Sequence, residues 1–341
     1  MDKVCVLIAS YLEPEHVDRI AATPGIEVIY EPALLPKPRY QADHHGAPLR
    51  RTPEDERRWR GYLAQAEVLF DFDFTNLESL LELAPNVRWV QATSAGIGQL
   101  MVRTGFVRSS VVFTTASGIH ATPLAEFCLW AMLGFAKDAP RLAREQAAHH
   151  WERYCGRELR GTTVGIIGLG QVGREVARLS RAVGMRVIAT RRTAPSGRDA
   201  DADEWVPASE LTRLLRVSDT VVVCTPQTPE TEGLLGEREL RSMKPGALFI
   251  NIGRGVVVDE PALIAALRDG HLVGAALDVF AQEPLPATSP LWDMPNVIVS
   301  PHSASTADSE NAKLTDLFCE NLRRYVQREP LLNVFDRERL Y

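Results

Sequence analysis

The 341-residue sequence has no CxxC pair, no unbroken apolar run of bilayer length, no run of lysine or arginine, no internal repeat and no low-complexity segment. Each absence excludes something. Cys5, Cys128, Cys155, Cys224 and Cys319 are odd in number and widely scattered, which argues against a disulfide framework or a thiolate metal site and fits a reducing cytoplasm. The longest greasy stretch, residues 123–136, contains Glu126 and falls short of the roughly 20 residues a membrane helix needs. Acids and bases are interspersed at a net charge of −6, which leaves no electrostatic footprint for nucleic acid. Met1-Asp2-Lys3 and the apolar residues 4–9 are too short and too lightly charged for a signal peptide and read as a buried strand. The adjacent His44 and His45 have no carboxylate or third histidine at ligand spacing, so no metal is expected.

What is present is alternation. Strand-like runs at residues 4–9, 27–30, 68–72, 87–92 and 111–115 are separated by helical stretches, a parallel α/β pattern. Residues 32–53, rich in proline, histidine and charge, read as a long surface loop. Helices are expected from Thr122, with Pro123 and Glu126 in the first turn, and from Ala139-Pro140. Six further strands follow, at residues 163–167, 185–189, 220–224, 247–251, 274–277 and 297–300, as a dinucleotide-binding sheet requires. The length exceeds what one core usually holds, so two domains are expected.

Gly168-Leu169-Gly170-Gln171-Val172-Gly173 ends the first of those six strands and opens a helix. There the glycines allow a tight turn, and the helix amino terminus offers free N–H groups to a pyrophosphate. The next strand should end in an acid if NAD is preferred, because a carboxylate accepts hydrogen bonds from the ribose hydroxyls. It ends instead in Thr190-Arg191-Arg192, and two guanidiniums suit a 2′-phosphate. NADP(H) is therefore the preferred cofactor and NAD(H) the alternative, with the two arginines then a solvated strand end.

Three segments at strand carboxyl ends carry the chemistry. Arg254, in Asn251-Ile252-Gly253-Arg254-Gly255, suits a carboxylate and a polarised keto oxygen, its glycines allowing close approach to a ligand. Glu283 and His302 supply an acid and an imidazole, a pair fitted to giving a proton to a forming alkoxide. Each alone is better read as a surface or structural residue; the combination carries the reading.

Together with Glu158-Leu159-Arg160-Gly161, Thr225-Pro226-Gln227-Thr228-Pro229-Glu230-Thr231, residues 277–284 and Pro301-His302, these motifs resemble, in order and spacing, the D-isomer-specific 2-hydroxyacid dehydrogenase family over nearly the whole chain. The resemblance implies an α/β fold of two doubly wound parallel-sheet domains. A Rossmann dinucleotide-binding domain (119–303) is inserted in a discontinuous flavodoxin-like substrate domain (1–118 and 304–341) that ends in a helix near 307–328. It implies that Arg254 orients substrate, His302 is the general acid or base and Glu283 tunes it. Gly168, Gly170, Gln171, Val172 and Gly173 would hold the pyrophosphate, and Arg191 and Arg192 the 2′-phosphate. Thr225, Pro226 and Thr231, with Ile252 and Gly253, would line the cofactor groove, and Asp278 would sit by the carboxamide. Ser94-Ala95-Gly96 would bind the substrate carboxylate through backbone N–H groups.

The activity so implied is NADPH-dependent reduction of a small α-keto acid, glyoxylate- or hydroxypyruvate-like, to the D-2-hydroxy acid between the domains, and the reverse, without a metal. Substrate preference does not transfer, because Ser303-Ala304 replaces a common isoleucine and glycine, His120 a common asparagine, and residues 94–100 lack the usual acidic ending. Trp292 and Tyr11 are pocket candidates, Trp292 equally a core or subunit anchor. Two other activities share the fold: a non-catalytic dinucleotide-sensing binding protein, and a dehydrogenase of formate or phosphite. The helical residues 122–151, with Phe127, Trp130, Leu133 and Phe135, resemble a dimer arm, so a homodimer is expected.

Overall fold

The computed structural model describes residues 3–192 and 201–341; Met1 and Asp2, which open the segment weighed above as a leader, and residues 193–200 lie outside them. Two compact units result. One holds the residues up to His120 together with Thr306–Tyr341, the other Ala121–Ser305.

In the first unit β1 (Val4–Ile8), β2 (Ile26–Ile29), β3 (Val68–Phe70), β4 (Trp89–Gln91) and β5 (Val112–Thr114) form one sheet. Its order is β2-β1-β3-β4-β5 and every pairing is parallel. Alternate residues of each strand serve opposite faces. Leu7, Leu69, Val90 and Phe113 join one buried cluster, and Val6, Val68, Phe70 and Trp89 join the other, with Phe318 and Leu322 of the helix Glu310–Gln327. A parallel sheet covered on both faces explains why the strands read as continuous apolar runs. The order reverses between β1 and β3, the place where such sheets bind ligands at their carboxyl edge.

The second unit adds β6 (Thr163–Ile167), β7 (Arg186–Thr190), β8 (Glu204–Trp205), β9 (Thr220–Val223), β10 (Ala247–Asn251), β11 (Leu272–Leu277) and β12 (Val297–Val299). They lie parallel in the order β12-β11-β10-β9-β6-β7-β8. The sheet thus has seven strands where the sequence pattern yields six. Glu204–Trp205 is a two-residue edge strand, too short for any hydrophobic alternation to mark.

Two other expectations need correcting. Residues 32–53 are not wholly a surface loop, since Leu34, Leu35, Asp43 and His44 are buried. The final helix begins at Glu310, not near residue 307. The helices Ala121–Ala136 and Ala139–Ala147 follow the expected pattern, Asp138 capping the second through Arg141 N–H. Among the described residues no helix is long and apolar enough to cross a membrane.

Candidate active site

The three fingerprint glycines answer three separate demands. Gly168 takes φ +103°, and a Cβ there would lie 3.0 Å from Cys224 C and from Thr225 Cγ2. Gly173 packs its helix on the strand end so tightly that a Cβ would sit 2.2 Å from Gly168 O. Gly170 is different: it is exposed, and a Cβ there would meet nothing within 4 Å. It immediately precedes the helix Gln171–Ala182, whose amino terminus has no side-chain cap. Exposed N–H groups at a bare helix start, beside a glycine facing open space, fit a dinucleotide pyrophosphate. Thr225 Oγ1, at the end of neighbouring β9, is buried without a hydrogen-bond partner among the described residues. That orphaned hydroxyl at the β6–β9 switch point fits the same occupant.

Gln171 is exposed and Val172 half-buried at the helix start. Of the groove residues, Pro226 is exposed, whereas Thr231 is spent on its own loop, donating to Pro226 O at 2.7 Å and accepting from Thr228 N–H at 2.8 Å. Arg191 and Arg192 follow β7. Arg191 is half-buried, and Arg192 Nη2 reaches Glu230 Oε2 at 3.1 Å in the Thr225–Thr231 loop.

Arg254 lies just beyond β10, and Asn251 braces its loop. The Asn251 Oδ1 accepts from Gly253 N–H at 3.0 Å and its Nδ2 donates to Arg254 O at 3.1 Å. The flanking glycines also meet a demand that the sequence does not show, close packing against the chain itself. A Cβ at Gly253 would stand 2.6 Å from Thr225 O, and one at Gly255 only 1.9 Å from Phe280 C and O. The neighbours that demand glycine are segments of the chain itself, which lock the Arg254 loop between Thr225 and Phe280. Burial pulls the Arg254 guanidinium below its ordinary pKa, against the charges of Glu283 and Asp278, which raise it.

Phe280 is also where the acid is anchored: its N–H donates to Glu283 Oε1 at 3.0 Å. The other carboxylate oxygen, Oε2, lies 2.7 Å from His302 Nδ1. Burial would raise the Glu283 pKa, yet the hydrogen bonds from His302 and Phe280, with the charges of His302 and Arg254, hold it below the ordinary carboxylate value. Glu283 therefore presents a negative charge to the imidazole, and the contact engages Nδ1, not Nε2. His302 itself sits at φ +54°, its N–H donating to Ser300 O at 3.0 Å around Pro301. A left-handed backbone at a non-glycine residue persists where its surroundings hold it.

Asp278 does the holding. Its Oδ1 accepts from Ser300 Oγ at 2.6 Å, Ser303 N at 2.8 Å and Ala304 N at 2.9 Å, three bonds that bracket His302. Burial raises the Asp278 pKa in opposition to these bonds. Sequence reasoning overlooked Asn251 and Ser300 as braces. Both lie inside quoted motifs or strand ends, but nothing in the sequence says that a side chain will turn back on its own loop.

In the first unit, Ser94-Ala95-Gly96 lies between β4 and the helix Gly98–Arg103, with Ser94 and Gly96 exposed and Ser94 O accepting from Ala116 N–H at 3.1 Å. His120 Nε2 lies 3.1 Å from Glu310 Oε1. Trp292 is exposed and donates its indole N–H to Pro286 O at 3.0 Å.

A sequence model described as the D-isomer-specific 2-hydroxyacid dehydrogenase NAD-binding domain matches residues 129–304. A glyoxylate reductase of Aeropyrum pernix is 35% identical over 271 residues, 76% of this chain and 79% of that protein. Among solved structures, a D-isomer-specific 2-hydroxyacid dehydrogenase from Xanthobacter autotrophicus Py2 in complex with NADPH and MES is 31% identical, with TM-score 0.80 and all of both chains covered. An NADPH-dependent glyoxylate/hydroxypyruvate reductase from Sinorhizobium meliloti, complexed with NADP and sulfate, is 26% identical with TM-score 0.80, over 99% of this chain and 100% of that one. With this likeness spanning glycine cradle, Arg254 loop and Glu283–His302 pair alike, the chain belongs to the D-isomer-specific 2-hydroxyacid dehydrogenase family, NAD(P)-dependent oxidoreductases acting on CH–OH groups.

Proposed function

We propose that this chain reduces a small α-keto acid, of the glyoxylate or hydroxypyruvate class, to its D-2-hydroxy acid with NADPH, and runs the reverse reaction, in a cytoplasmic setting. The observation that carries the reading is the 2.7 Å bond between Glu283 Oε2 and His302 Nδ1 beside the half-buried Arg254. Gly168, Gly170, Gly173 and the helix start at Gln171 and Val172 hold the pyrophosphate. Thr225, Pro226, Ile252 and Gly253 line the groove, with Thr231 shaping it from within its loop. The dinucleotide supplies the hydride in reduction and takes it back in oxidation.

Arg254 binds the keto acid and draws its carbonyl oxygen toward the guanidinium, where negative charge grows as the carbon is reduced. His302 gives the proton from Nε2 to that oxygen, and Glu283 offsets the positive charge the imidazole carries before it does so. Ser94, Ala95 and Gly96 bind the substrate carboxylate through backbone N–H groups. Asp278 keeps the 300–304 turn in place, so that the histidine stays at its φ of +54°. The intact trio favours this reading over a purely dinucleotide-sensing protein, and an activity screen that includes formate and phosphite separates it from a dehydrogenase of either.

The NADPH preference rests on Arg191 and Arg192 standing where an NAD site keeps an acid, and the two structural relatives named above are complexed with NADPH or NADP. The Arg192–Glu230 pair is exposed and screened by solvent, so a phosphate readily replaces it. Initial rates with NADPH and NADH against glyoxylate, hydroxypyruvate and pyruvate test both halves. NADPH should win by at least tenfold in kcat/KM, and Arg191→Ala with Arg192→Ala should erase that margin while sparing NADH. Turnover of none of the acids with either cofactor sinks the reductase reading; an NADH preference sinks only the cofactor half.

We also propose a homodimer through the helical arm. Trp130 is 56% and Trp151 94% exposed, with Leu133 and Leu142 also open to solvent, whereas Phe127 and Phe135 pack on the unit's own core. A cavity of about 460 Å³ is lined in part by Met132, Phe135 and Arg144 of the same two helices. Apolar surface of this kind is normally covered. Light scattering should give twice the 37.8 kDa chain mass, and a monomer at micromolar concentration would refute the arm's role.

A further inference from the structure

The carboxyl edge of the first unit's sheet carries a buried polar cluster that none of the roles above employs. Ser10 follows β1, Asp71 follows β3 and Thr93 follows β4, and all three are buried. They are linked: Thr93 Oγ1 donates to Asp71 Oδ2 at 3.0 Å, Ser10 hydrogen-bonds Asp71, and Ser10 Oγ lies 3.1 Å from His44 Nδ1. Asp71 is held at φ +68°, and burial pushes its carboxyl up to about 7. Thr93 immediately precedes Ser94-Ala95-Gly96, so the cluster adjoins the loop proposed above for the substrate carboxylate.

Two of its atoms have nothing to bond. His44 Nε2 and Glu310 Oε2 are buried without a hydrogen-bond partner among the described residues, in side chains whose residues are only 8% and 7% exposed. Glu310 acts electrostatically on His44, and its other oxygen is taken by His120. The chemistry of the orphans follows from the network. Ser10 has one hydroxyl proton; spent on the Asp71 carboxylate, it leaves the oxygen to accept from His44 Nδ1–H. His44 Nε2 is then a bare acceptor, and burial lowers that imidazole to about 4, so it stays neutral. Glu310 Oε2 is a second acceptor. Buried acceptors without donors are rare, and the Ser10 and Asp71 that lead to them follow β1 and β3, the strands flanking the switch point where open α/β sheets bind ligands.

We propose that Ser10, His44 and Glu310, positioned by Asp71 and His120, form a subsite for a hydroxyl on the keto acid's side chain, selecting a neutral hydroxylated substrate over an alkyl or a second anionic group. The inference deepens the reductase reading and rests on it. A hydroxyl proton satisfies an acceptor that a methyl leaves bare, while a phosphate brings its charge up to the Glu310 carboxylate. This is the selectivity of a site built to bond a polar group, which rejects analogues lacking it.

The test is kcat/KM of the 341-residue chain for hydroxypyruvate, pyruvate and 3-phosphohydroxypyruvate, with glyoxylate, which has no side chain, as the check on the reductase reading. The wild type should prefer hydroxypyruvate to pyruvate by about tenfold or more and should discriminate as strongly against the phosphorylated acid. His44→Leu and Glu310→Gln should each cut the hydroxypyruvate-to-pyruvate ratio about tenfold, with Ser10→Ala as the milder variant should either fail to fold. Glyoxylate turnover with a wild-type ratio near one overturns the subsite alone. So does an equal loss on all substrates in the variants, which marks a structural role. If the wild type reduces none of the acids, the reductase reading falls and the subsite falls with it.

Discussion

Replacing His302 by Asn is expected to lower kcat for keto-acid reduction by about 10²–10⁴-fold, the usual worth of a positioned general acid, while the protein melts at nearly the wild-type temperature. The choice of Asn follows from the backbone. His302 sits at φ +54°, a region Asn tolerates better than most non-glycine residues, so the turn bracketed by Asp278 survives the change. An Ala variant would mix backbone strain with lost chemistry. Near-wild-type turnover in His302→Asn would remove the histidine from the mechanism.

Glu283→Gln separates the charge from the hydrogen bond. Because the Glu283 carboxyl is held below its ordinary value, the site has the full benefit of its charge at every pH above the ordinary carboxylate range and loses it only as pH falls through the depressed value. Across the neutral range the acid is therefore constant. Without the counter-charge the proton is less well held, so the pH at which reduction fades should move to lower values in Glu283→Gln. A profile of kcat/KM against pH reads this directly; an unmoved falling limb would show that Glu283 only orients the ring.

Arg254→Ala is expected to cost about 10²–10³-fold in kcat/KM, with kcat itself reduced, because the guanidinium acts on charge that grows during the reaction. Arg254→Lys should recover little, since an ammonium cannot reproduce the planar fork that serves a carboxylate and a carbonyl oxygen together. The loop should tolerate both changes. Its shape depends on Asn251 and on the close packing of Gly253 and Gly255, and the Arg254 backbone is extended at φ −142°. Added guanidinium should partly restore the Ala variant. A rise in KM with kcat untouched would reduce Arg254 to a binding residue.

Much of this site was legible in the amino-acid order because the chemistry leaves marks one residue wide. A glycine at positions 168, 170 and 173 behind an apolar strand announces a turn, an open approach and a tight helix contact, and the structure assigns one demand to each. The strand runs were equally plain, since strands covered on both faces must be apolar throughout. The two-residue β8 escaped because its place in the sheet comes from β7 beside it, not from its own side chains. Residues 32–53 misled for a related reason: their composition is that of a loop, but His44 is buried by its bond to Ser10 and its edge-on contact with Phe70.

By itself, then, the sequence marked out the two parallel α/β sheets, the glycine-rich turn and Arg254, Glu283 and His302 as candidates, because periodicity and residue type are local properties that survive without the fold. Only the tertiary structure decided what those residues lean on. Glycines 253 and 255 yield to Thr225 and Phe280, Asp278 gathers three donors around His302, and Ser10, His44, Asp71 and Glu310 meet at one sheet edge from positions up to 300 residues apart. Such partnerships are set by which strand ends the sheet order brings side by side, and strand order is a property of the packed chain.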